Sequence, residues 1–356
     1  MSANVLPERR RRASNVRGRV SLELHWDVTS LRTRIGALAY DAPRFLRSMA
    51  RKGGWIHMRN RGERTLFDGR GVQCHWQFTS DLHLAKVFPR AGESLMRRAF
   101  AEWPVASVDA PPSTEQPLVT FVIGHRGLAR LPHLLATLRT IAGQTDVPIE
   151  CVVVEQAVER EVESKLPAWV RYLHTPPPSR DDDYNRSWTL NAGARAARGE
   201  LVVLHDNDML VPRRYAAELH DRMREGCDFL DLKRFTFYLP EETTQRFFAS
   251  GILHTSSTST VVQNLRGASI AASRRAYFAI GGFDESFVGW GGEDNEFWER
   301  AEVGGRIYAY GYLPFVHLFH APQKGKLLGS EAPAVRRYLE LSAVAPEERI
   351  RRLTAR

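Results

Sequence analysis

The sequence has few cysteines and no long apolar run, and each shortage excludes a class of protein. Its 356 residues include three cysteines, Cys74, Cys151 and Cys227, which lie far apart and form no CxxC pair. An odd number of widely spaced cysteines argues against a disulfide framework and against a structural zinc site. No apolar run approaches the roughly 18 residues that cross a bilayer, so we expect no transmembrane helix.

Signals for secretion and for two common nucleotide-binding folds are also absent. The arginines at 9–12 are followed by VSLELHWDV, which is charged where a signal peptide is apolar, so we expect a cytoplasmic protein. No GxGxxG follows the predicted strand that ends in GHRG, and the chain contains no P-loop motif. These absences exclude an ordinary dinucleotide oxidoreductase and a P-loop enzyme.

Positive charge is concentrated at the start of the chain. The formal net charge is +9, and residues 1–19 contain six arginines against one glutamate. We interpret residues 1–17 as a disordered basic tail. A merely solvated tail is the favoured interpretation, and contact with the anionic inner face of a membrane or with nucleic acid is the alternative. The rest of the chain is only mildly basic, so we expect no specific nucleic-acid partner.

A stretch rich in proline and polar residues divides the chain. VDAPPSTEQP, residues 108–117, is typical of a linker between folded regions. We therefore predict a small α+β accessory domain of unassigned role at 18–107 and a main domain at 118–322. Residues 323–356 are predicted to form a helical extension.

The main domain alternates predicted strands and helices. Four segments have the length and apolar content of buried strands: LVTFVI (118–123), IECVVVEQ (149–156), VRYLHT (170–175) and ELVVLHDND (200–208). Helices are predicted between them, including AVEREVESKL (157–166) and NRSWTLNAGARAARG (185–199). This alternation predicts an α/β fold with a mostly parallel sheet, whose ligands bind beyond the carboxyl ends of the strands.

Two acids follow the fourth predicted strand. Asp206 and Asp208 alternate at its carboxyl end, where a divalent metal and a diphosphate would bind. The alternative is an ordinary turn in which Asp208 caps the next helix. The segment HLFH, at 317–320, supplies imidazoles, which together with a carboxylate favour a transition metal such as Mn²⁺ over Mg²⁺. The spacing leaves open whether His317 or His320 is the ligand.

A glycine-rich segment with a cluster of acids, GWGGEDNEFWERA, follows later in the chain. We predict a loop that becomes a helix near Glu293. In a purely structural interpretation the first acids suit the helix dipole, and Glu296 pairs with Arg300 on an ordinary helix surface. That interpretation leaves Trp290 unexplained, because an aromatic ring beside carboxylates commonly holds a sugar. Asp294 is then the candidate general base.

Four sets of segments, in order along the chain, resemble the catalytic domain of the metal-dependent β-1,4-galactosyltransferases. The resemblance extends to related inverting GT-A glycosyltransferases, including bacterial family 2-type enzymes. The segments are GHRGLARL, then VVVEQA, then YNRSWTLNAG with LHDNDMLVP, and finally RGASIAASRRAYFAIGGFDESFVGWGGEDNEFWER with HLFHAPQ. The resemblance covers residues 118–322 and implies the GT-A fold. It departs from the family in the first segment, which lacks the family's proline and one of its arginines.

The resemblance also implies roles for individual residues. It places the nucleotide against His125, Arg126, Glu155, Gln156, Tyr184, Asn185, Arg186 and Asp206. It assigns the metal to Asp208 with His320, or with His317 as the alternate. It assigns the donor sugar and the acceptor to Trp290, Gly291, Gly292 and Glu293, and the catalytic base to Asp294.

The activity implied belongs to polysaccharide biosynthesis in a bacterial cytoplasm. A hexose or N-acetylhexosamine passes from a UDP-sugar, such as UDP-galactose, to a hydroxyl of a glycan or lipid-linked glycan acceptor, with Mn²⁺ or Mg²⁺ as cofactor. Related retaining N-acetylgalactosaminyltransferases have an amide at the position of Asp294, so the carboxylate favours inversion. The alternatives are a retaining enzyme of that kind and a non-catalytic protein that binds carbohydrate or nucleic acid.

Overall fold

A computed structural model describes residues 31–58, 64–65, 72–73, 80–113, 115–179, 182–263, 265–309, 311–322 and 328–355. The predicted basic tail, residues 1–17, and Cys74 lie outside these ranges. Within them, no helix combines the length and the apolar character that crossing a membrane requires. Cys151 and Cys227 are buried as free thiols.

The larger sheet has seven strands in the described part of the chain, and its centre is parallel. The predicted alternation supplies four parallel strands: β4 (Val119–His125), β5 (Ile149–Glu155), β6 (Arg171–His174) and β7 (Leu201–His205). Three more extend the sheet: β9 (Phe229–Leu230), β12 (Ser269–Ser273) and β13 (Ile307–Tyr308). The order is β13-β9-β12-β7-β4-β5-β6, and β12 is antiparallel to both neighbours. The predicted α/β fold with a mostly parallel sheet is confirmed.

A second sheet of five strands meets the first near the end of β7. It consists of β3 (Ser80–Asp81), β8 (Met209–Leu210), β10 (Lys233–Tyr238), β11 (Thr260–Gln263) and β14 (Leu313–His317), in the order β3-β11-β10-β14-β8. β14 pairs with β8 so that His317 lies opposite Met209. This register brings the end of β14 beside the acids that follow β7. Separately, β1 (Arg64–Thr65) pairs antiparallel with β2 (Val72–Gln73).

Helices cover the sheets and bound the site. They are α1 (Leu31–Ile35), α2 (Ala42–Met49), α3 (His83–Val87), α4 (Pro89–Glu102), α5 (Leu131–Ala142), α6 (Arg186–Ala196), α7 (Tyr215–Arg224), α8 (Glu241–Ser250), α9 (Arg274–Ala279), α10 (Glu293–Gly304), α11 (Pro333–Leu341) and α12 (Pro346–Thr354). α6 lies directly on β4 and β5. Gly193 permits this approach, because a Cβ there would lie 2.2 Å from Cγ1 of Val122.

The helix predicted at 157–166 is wrong. A single 3₁₀ turn, Glu163–Lys165, forms there instead. The carboxylate of Glu155 accepts hydrogen bonds from the backbone N–H of Glu161, at 3.2 Å to each oxygen, and of Val162, at 3.4 Å. These tertiary hydrogen bonds hold the segment as a loop against the end of β5, overriding its local helix propensity.

The described residues before the predicted linker pack against the sheets and do not form a core of their own. Trp55, Met96 and Phe100 are buried in the same hydrophobic core as the sheets. The ring of Phe100 meets that of Phe237, on β10, edge to face with centroids 5.7 Å apart. The described residues on both sides of the linker therefore share one core, because β3 and α4 complete the second sheet and its cover.

The helical extension packs on α10. Tyr338, on α11, donates its hydroxyl to Glu299 at 2.6 Å, and Arg349, on α12, donates to Glu299 at 2.6 Å and to Glu296 at 3.2 Å. Glu296 and Arg300 are 1% and 0% exposed, so the predicted placement of this pair on an ordinary helix surface is wrong. Their predicted pairing is present, at 2.6 and 2.7 Å.

Candidate active site

The two acids after β7 lie at the carboxyl edge of the main sheet. Asp208 is 6% exposed and leads into β8, while α7 begins only at Tyr215. Asp208 therefore does not cap the next helix, which removes the structural alternative for it. Asp206 lies on the other side of Asn207 and points toward α6, where it pairs with Arg186.

Asp208 and the two histidines of HLFH form a cluster with the composition of a metal site. One ligand atom from each of Asp208, His317 and His320 lies within 4.8 Å of the others. His320 Nε2 is 3.3 Å from Oδ2 of Asp208, and His317 Nε2 is 3.9 Å from Oδ1. For comparison, two adjacent ligands of an octahedral ion at about 2.1 Å are about 3.0 Å apart. The donor set and its spacing fit a divalent transition metal.

The hydrogen bonds of His320 orient it as a ligand. Its Nδ1 lies 2.7 Å from the carbonyl oxygen of Ala321, which can only accept, so Nδ1 carries the proton. In the neutral ring, Nε2 then presents its lone pair to the Asp208 carboxylate. Two lone pairs at 3.3 Å need a cation between them or a proton on Nε2. His317 is held differently, with its ring stacked on Tyr238 at 4.2 Å.

Arg130 is a further cation at this cluster, and it was not predicted from the sequence. Its guanidinium donates to Oδ2 of Asp208 at 3.1 Å from the segment between β4 and α5. Burial opposes ionisation of Asp208, but the two histidines and Arg130 outweigh it and hold the pKa of the carboxyl below its usual range. Asp208 is therefore ionised and available to a metal at neutral pH.

Arg186 joins the acids of β7 to those of α10. Its guanidinium lies 2.7 Å from Oδ1 of Asp206, 3.0 Å from Oδ1 of Asp294 and 3.6 Å from Oε1 of Glu293. The first turn of α6, which Asn185 caps by accepting from the backbone N–H of Trp188 at 2.9 Å, positions this arginine. The predicted base, Asp294, and the first of the two acids after β7, Asp206, therefore lie in one site.

Three carboxylates around one guanidinium leave excess negative charge. Burial raises the pKa of Asp206 to about 6, although Arg186 opposes the shift. Burial and the neighbouring Asp294 carboxylate raise the pKa of Glu293 to about 7. At neutral pH Glu293 is therefore partly protonated, and a protonated carboxyl can donate a hydrogen bond to a sugar hydroxyl.

The glycines before α10 are required by the backbone and by close packing. Gly291 and Gly292 have φ of 108° and 92°, which L-residues with a side chain rarely adopt. A Cβ on Gly292 would lie 2.6 Å from Cβ of Tyr338, and one on Gly291 would lie 2.8 Å from Cγ2 of Val335. α11 therefore lies directly behind this loop. Trp290 precedes it and is half-buried.

Gly267 lies against Asp294 and was missed from the sequence. A Cβ there would lie 2.0 Å from Oδ2 of Asp294. The next residue, Ala268, has a φ of 70°, and its carbonyl accepts the backbone N–H of Asp206 at 2.8 Å. This strained turn therefore contacts both acids, and strain of this kind is typical of functional sites.

We predict that Gly267→Ala lowers transfer activity by about a hundredfold, because it displaces the carboxylate of Asp294 by an ångström or more. The measurement is turnover of Gly267→Ala, Asp294→Asn and the double variant, with thermal unfolding of each as the check on folding. In the double variant the alanine should add little, since both changes act on the same carboxylate. Independent, multiplicative losses would contradict the proposed contact.

The predicted nucleotide residues divide into two groups. His125 is 1% exposed at the end of β4, and burial lowers its pKa to about 4, so it is neutral. Its Nε2 donates to the carbonyl of Gly127 at 3.0 Å, and its Nδ1 accepts from Asn207 at 2.9 Å. Asn207, between Asp206 and Asp208, was also missed. Its hydrogen bond connects His125 to the loop that carries Asp208, the candidate metal ligand. Arg126 donates to the carbonyl of Asp182 at 2.7 Å.

The side chains of the second group form hydrogen bonds mainly with other residues of the protein. Glu155 is fully buried and accepts the hydroxyl of Tyr172 at 2.5 Å, in addition to the loop N–H groups described above. Gln156 accepts the backbone N–H of Asn185 at 2.7 Å. The hydroxyl of Tyr184 lies beside Gly124, near the end of β4, and 3.0 Å from the hydroxyl of Thr189. These contacts shape the floor of the site, and a direct contact of Glu155 with a nucleotide stays a prediction.

The fold and the site together describe an α/β protein with a candidate metal-binding cluster at the carboxyl edge of its main sheet. The family model described as the N-terminal domain of galactosyltransferase matches residues 253–320, which include α10 and both histidines. Chondroitin synthase of Escherichia coli is 31% identical over 129 residues, which are 32% of this chain and 18% of that protein. Beta-1,4-galactosyltransferase 5 of Danio rerio is 26% identical over 135 residues, which are 35% of this chain and 28% of that protein.

Two solved structures are also similar. A mannosyltransferase of Pyrobaculum calidifontis, in complex with GDP-Man and Mn²⁺, has a TM-score of 0.39 and 20% identity, covering 74% of this chain and 79% of the other. GalNAc-T7 with UDP, GalNAc and Mn²⁺ has a TM-score of 0.45 and 14% identity, covering 65% and 48%. The chain spans less than a third of either curated relative. The family match and both relatives confirm the glycosyltransferase class predicted from the sequence.

Proposed function

We propose that this protein is an inverting, metal-dependent glycosyltransferase. It moves a hexose or N-acetylhexosamine from a UDP-sugar to a hydroxyl of a glycan or lipid-linked glycan acceptor. The observation that carries the proposal is the position of Arg186, whose guanidinium lies 3.0 Å from Asp294 and 2.7 Å from Asp206. Through it the candidate base and the metal edge belong to a single site.

Asp294 acts as the general base. It takes the proton of the acceptor hydroxyl while that oxygen attacks the anomeric carbon from the face opposite UDP. The bond from the anomeric carbon to the diphosphate oxygen breaks with its electrons going to UDP, so an α-linked donor gives a β-linked product. Glu293 holds a sugar hydroxyl, and Trp290 offers its ring face to the sugar.

Asp208 and His320 would hold the metal, with His317 as the alternate to His320. When bound, it stabilises the negative charge of the diphosphate that leaves. Arg130, whose guanidinium lies 3.1 Å from Asp208, would supply a second positive charge near this diphosphate. On the nucleotide side, His125 and Arg126 would line the nucleotide pocket and Glu155 and Gln156 would lie near the uridine. Tyr184, Asn185 and Arg186 would contact the nucleotide and its phosphates.

The proposal extends to the acceptor and to the location of the enzyme. The two curated relatives carry the names of a chondroitin synthase and a galactosyltransferase, which favour a polysaccharide or glycolipid acceptor. We place the enzyme in the cytoplasm, where residues 1–17 contact the anionic face of a membrane.

The deciding experiment measures UDP release over a panel of UDP-sugars with Mn²⁺, and then with a chelator. Loss of turnover on chelation supports the metal assignment, and intact turnover contradicts it. The anomeric configuration of the product then separates inversion from retention: an α-linked product from an α-linked donor would establish the retaining alternative. No UDP release with any donor would favour the non-catalytic alternative.

We expect His320→Ala to weaken Mn²⁺ binding by more than about tenfold and His317→Ala by less. The reason is geometric, since Nε2 of His320 lies at 3.3 Å from the carboxylate and that of His317 at 3.9 Å. Titration of the protein with Mn²⁺, followed by the electron paramagnetic resonance of the free ion, measures both. His254→Ala, at an exposed histidine outside the cluster, is the control. A larger effect at His317 would reverse the assignment.

A further inference from the structure

The helix at 31–49 exposes a row of large aliphatic side chains. α1, the π-helical segment Gly36–Asp41 and α2 follow one another without a break. Side chains three, four or about eight residues apart lie on one face of a continuous helix. The row consists of Leu31, Ile35, Leu38 and Leu46, which are 73%, 55%, 59% and 72% exposed. Exposed apolar residues grouped in this way mark an interaction surface.

The opposite face of the same helix holds it firmly on the body of the protein. Ala37 is fully buried, and the Asp41 carboxylate accepts the backbone N–H of Leu84 at 2.9 Å in the first turn of α3. Phe45 and Met49 pack against the main core. The helix is therefore apolar on two sides, and core packing accounts for only one of them.

Positive charge surrounds the aliphatic row. The sequence from 31 to 52 contains one acid, Asp41, against six basic residues: Arg32, Arg34, Arg44, Arg47, Arg51 and Lys52. Asp41 is 5% exposed, and its carboxylate accepts the hydrogen bond from α3 described above. Four of the basic residues are exposed: Arg34, Arg47, Arg51 and Lys52. The exposed face of this helix is therefore aliphatic at its centre and cationic at its borders.

We propose that this face lies in the headgroup region of an anionic lipid bilayer, with the aliphatic row inserted and the basic residues at the lipid phosphates. This combination is what binds a helix parallel to a membrane surface. A second copy of the chain would bring two cationic faces together, which repel. A nucleic acid would use the cations but leave four aliphatic side chains in water. A bilayer accommodates both the aliphatic centre of this face and its cationic borders.

The test is flotation of the full chain with vesicles, a binding readout that does not depend on glycosyl transfer. The wild-type protein should float with vesicles of phosphatidylcholine and phosphatidylglycerol, much less with phosphatidylcholine alone, and less at high salt. The variant Ile35→Gln/Leu38→Gln/Leu46→Gln should bind more than about tenfold more weakly, because lipid insertion of these side chains is lost.

Two further variants separate charge from insertion. Arg47→Gln/Arg51→Gln/Lys52→Gln should reduce the preference for mixed over neutral vesicles, to which the arginines of residues 1–17 still contribute. Ile252→Gln, at an aliphatic residue that is 62% exposed outside this face, should bind as the wild type does. Equal thermal midpoints for all variants show that the core packing of the helix is retained.

Two results would overturn the proposal. One is unchanged vesicle binding by the triple glutamine variant of the aliphatic row, which would assign any binding to another part of the chain. The other is a wild-type dimer in sedimentation experiments that the same variant converts to a monomer, which would make the face an interface between copies.

Discussion

Asp294→Asn is expected to lower turnover by about a thousandfold, within the range that a positioned general base contributes. Asparagine keeps the size of the side chain and one oxygen near Arg186, at the position that is now 3.0 Å from the guanidinium. It cannot accept a proton from the acceptor. The Michaelis constant for the UDP-sugar should change little, since asparagine fills the same space beside Arg186 and Glu293 and the metal ligands lie on other segments.

The matched control is Glu302→Gln, an acid on the exposed side of the same helix. It should retain full turnover, and calorimetric binding of UDP with Mn²⁺ should be the same in both variants. Residual turnover of Asp294→Asn within tenfold of the wild type would remove Asp294 as the base. Loss of UDP binding in this variant would instead show that the change had disturbed the site as a whole.

Glu296→Ala is expected to cost about 3 to 5 kcal/mol of folding free energy, the range for breaking a buried ion pair. Glu296 lies between Arg300 and Arg349, which are 0% and 3% exposed, and accepts hydrogen bonds from both. Its removal leaves two buried guanidinium groups without this carboxylate. Thermal unfolding should show a midpoint lower by about 10 °C.

Glu302→Ala serves as the control for stability, because this side chain is exposed on the same helix and its loss should change the midpoint very little. Arg349→Met tests the same network from α12. It removes one of the two cations and should be less damaging than the loss of Glu296, which faces both. A loss below about 1 kcal/mol for Glu296→Ala would mean that the arginines find other partners.

The elements that could be predicted from sequence are those with a local signature. Apolar runs of strand length predict β4, β5 and β7, because a strand buried on both faces needs few polar residues. The acids after β7 and the start of a helix at Glu293 are also indicated by short local patterns, namely acids directly after an apolar strand and glycines directly before a group of acids. The resemblance to a known family then placed Asp294, Asp208 and the histidines in one site.

The residues that were missed reach the site from distant parts of the chain. Arg130 is 78 positions from Asp208, and Gly267 contacts Asp294 only because β12 inserts antiparallel between β7 and β9. Such contacts depend on strand order and register, which no local pattern encodes. The burial of Glu296 escaped prediction for the same reason, since α12 covers it from more than fifty residues away.

The packing of the last helix on α10 has a consequence for the order in which the protein can be assembled. Synthesis proceeds from the amino end, so Glu296 and Arg300 are made well before Arg349. Until α11 and α12 have been synthesised and have folded, the inner face of α10 is uncovered and Glu296 lacks Arg349, one of its two cationic partners. The helix whose first turn contains Asp294 therefore reaches its final packing only after α12 has been made, so the candidate site matures later than its own residues are synthesised.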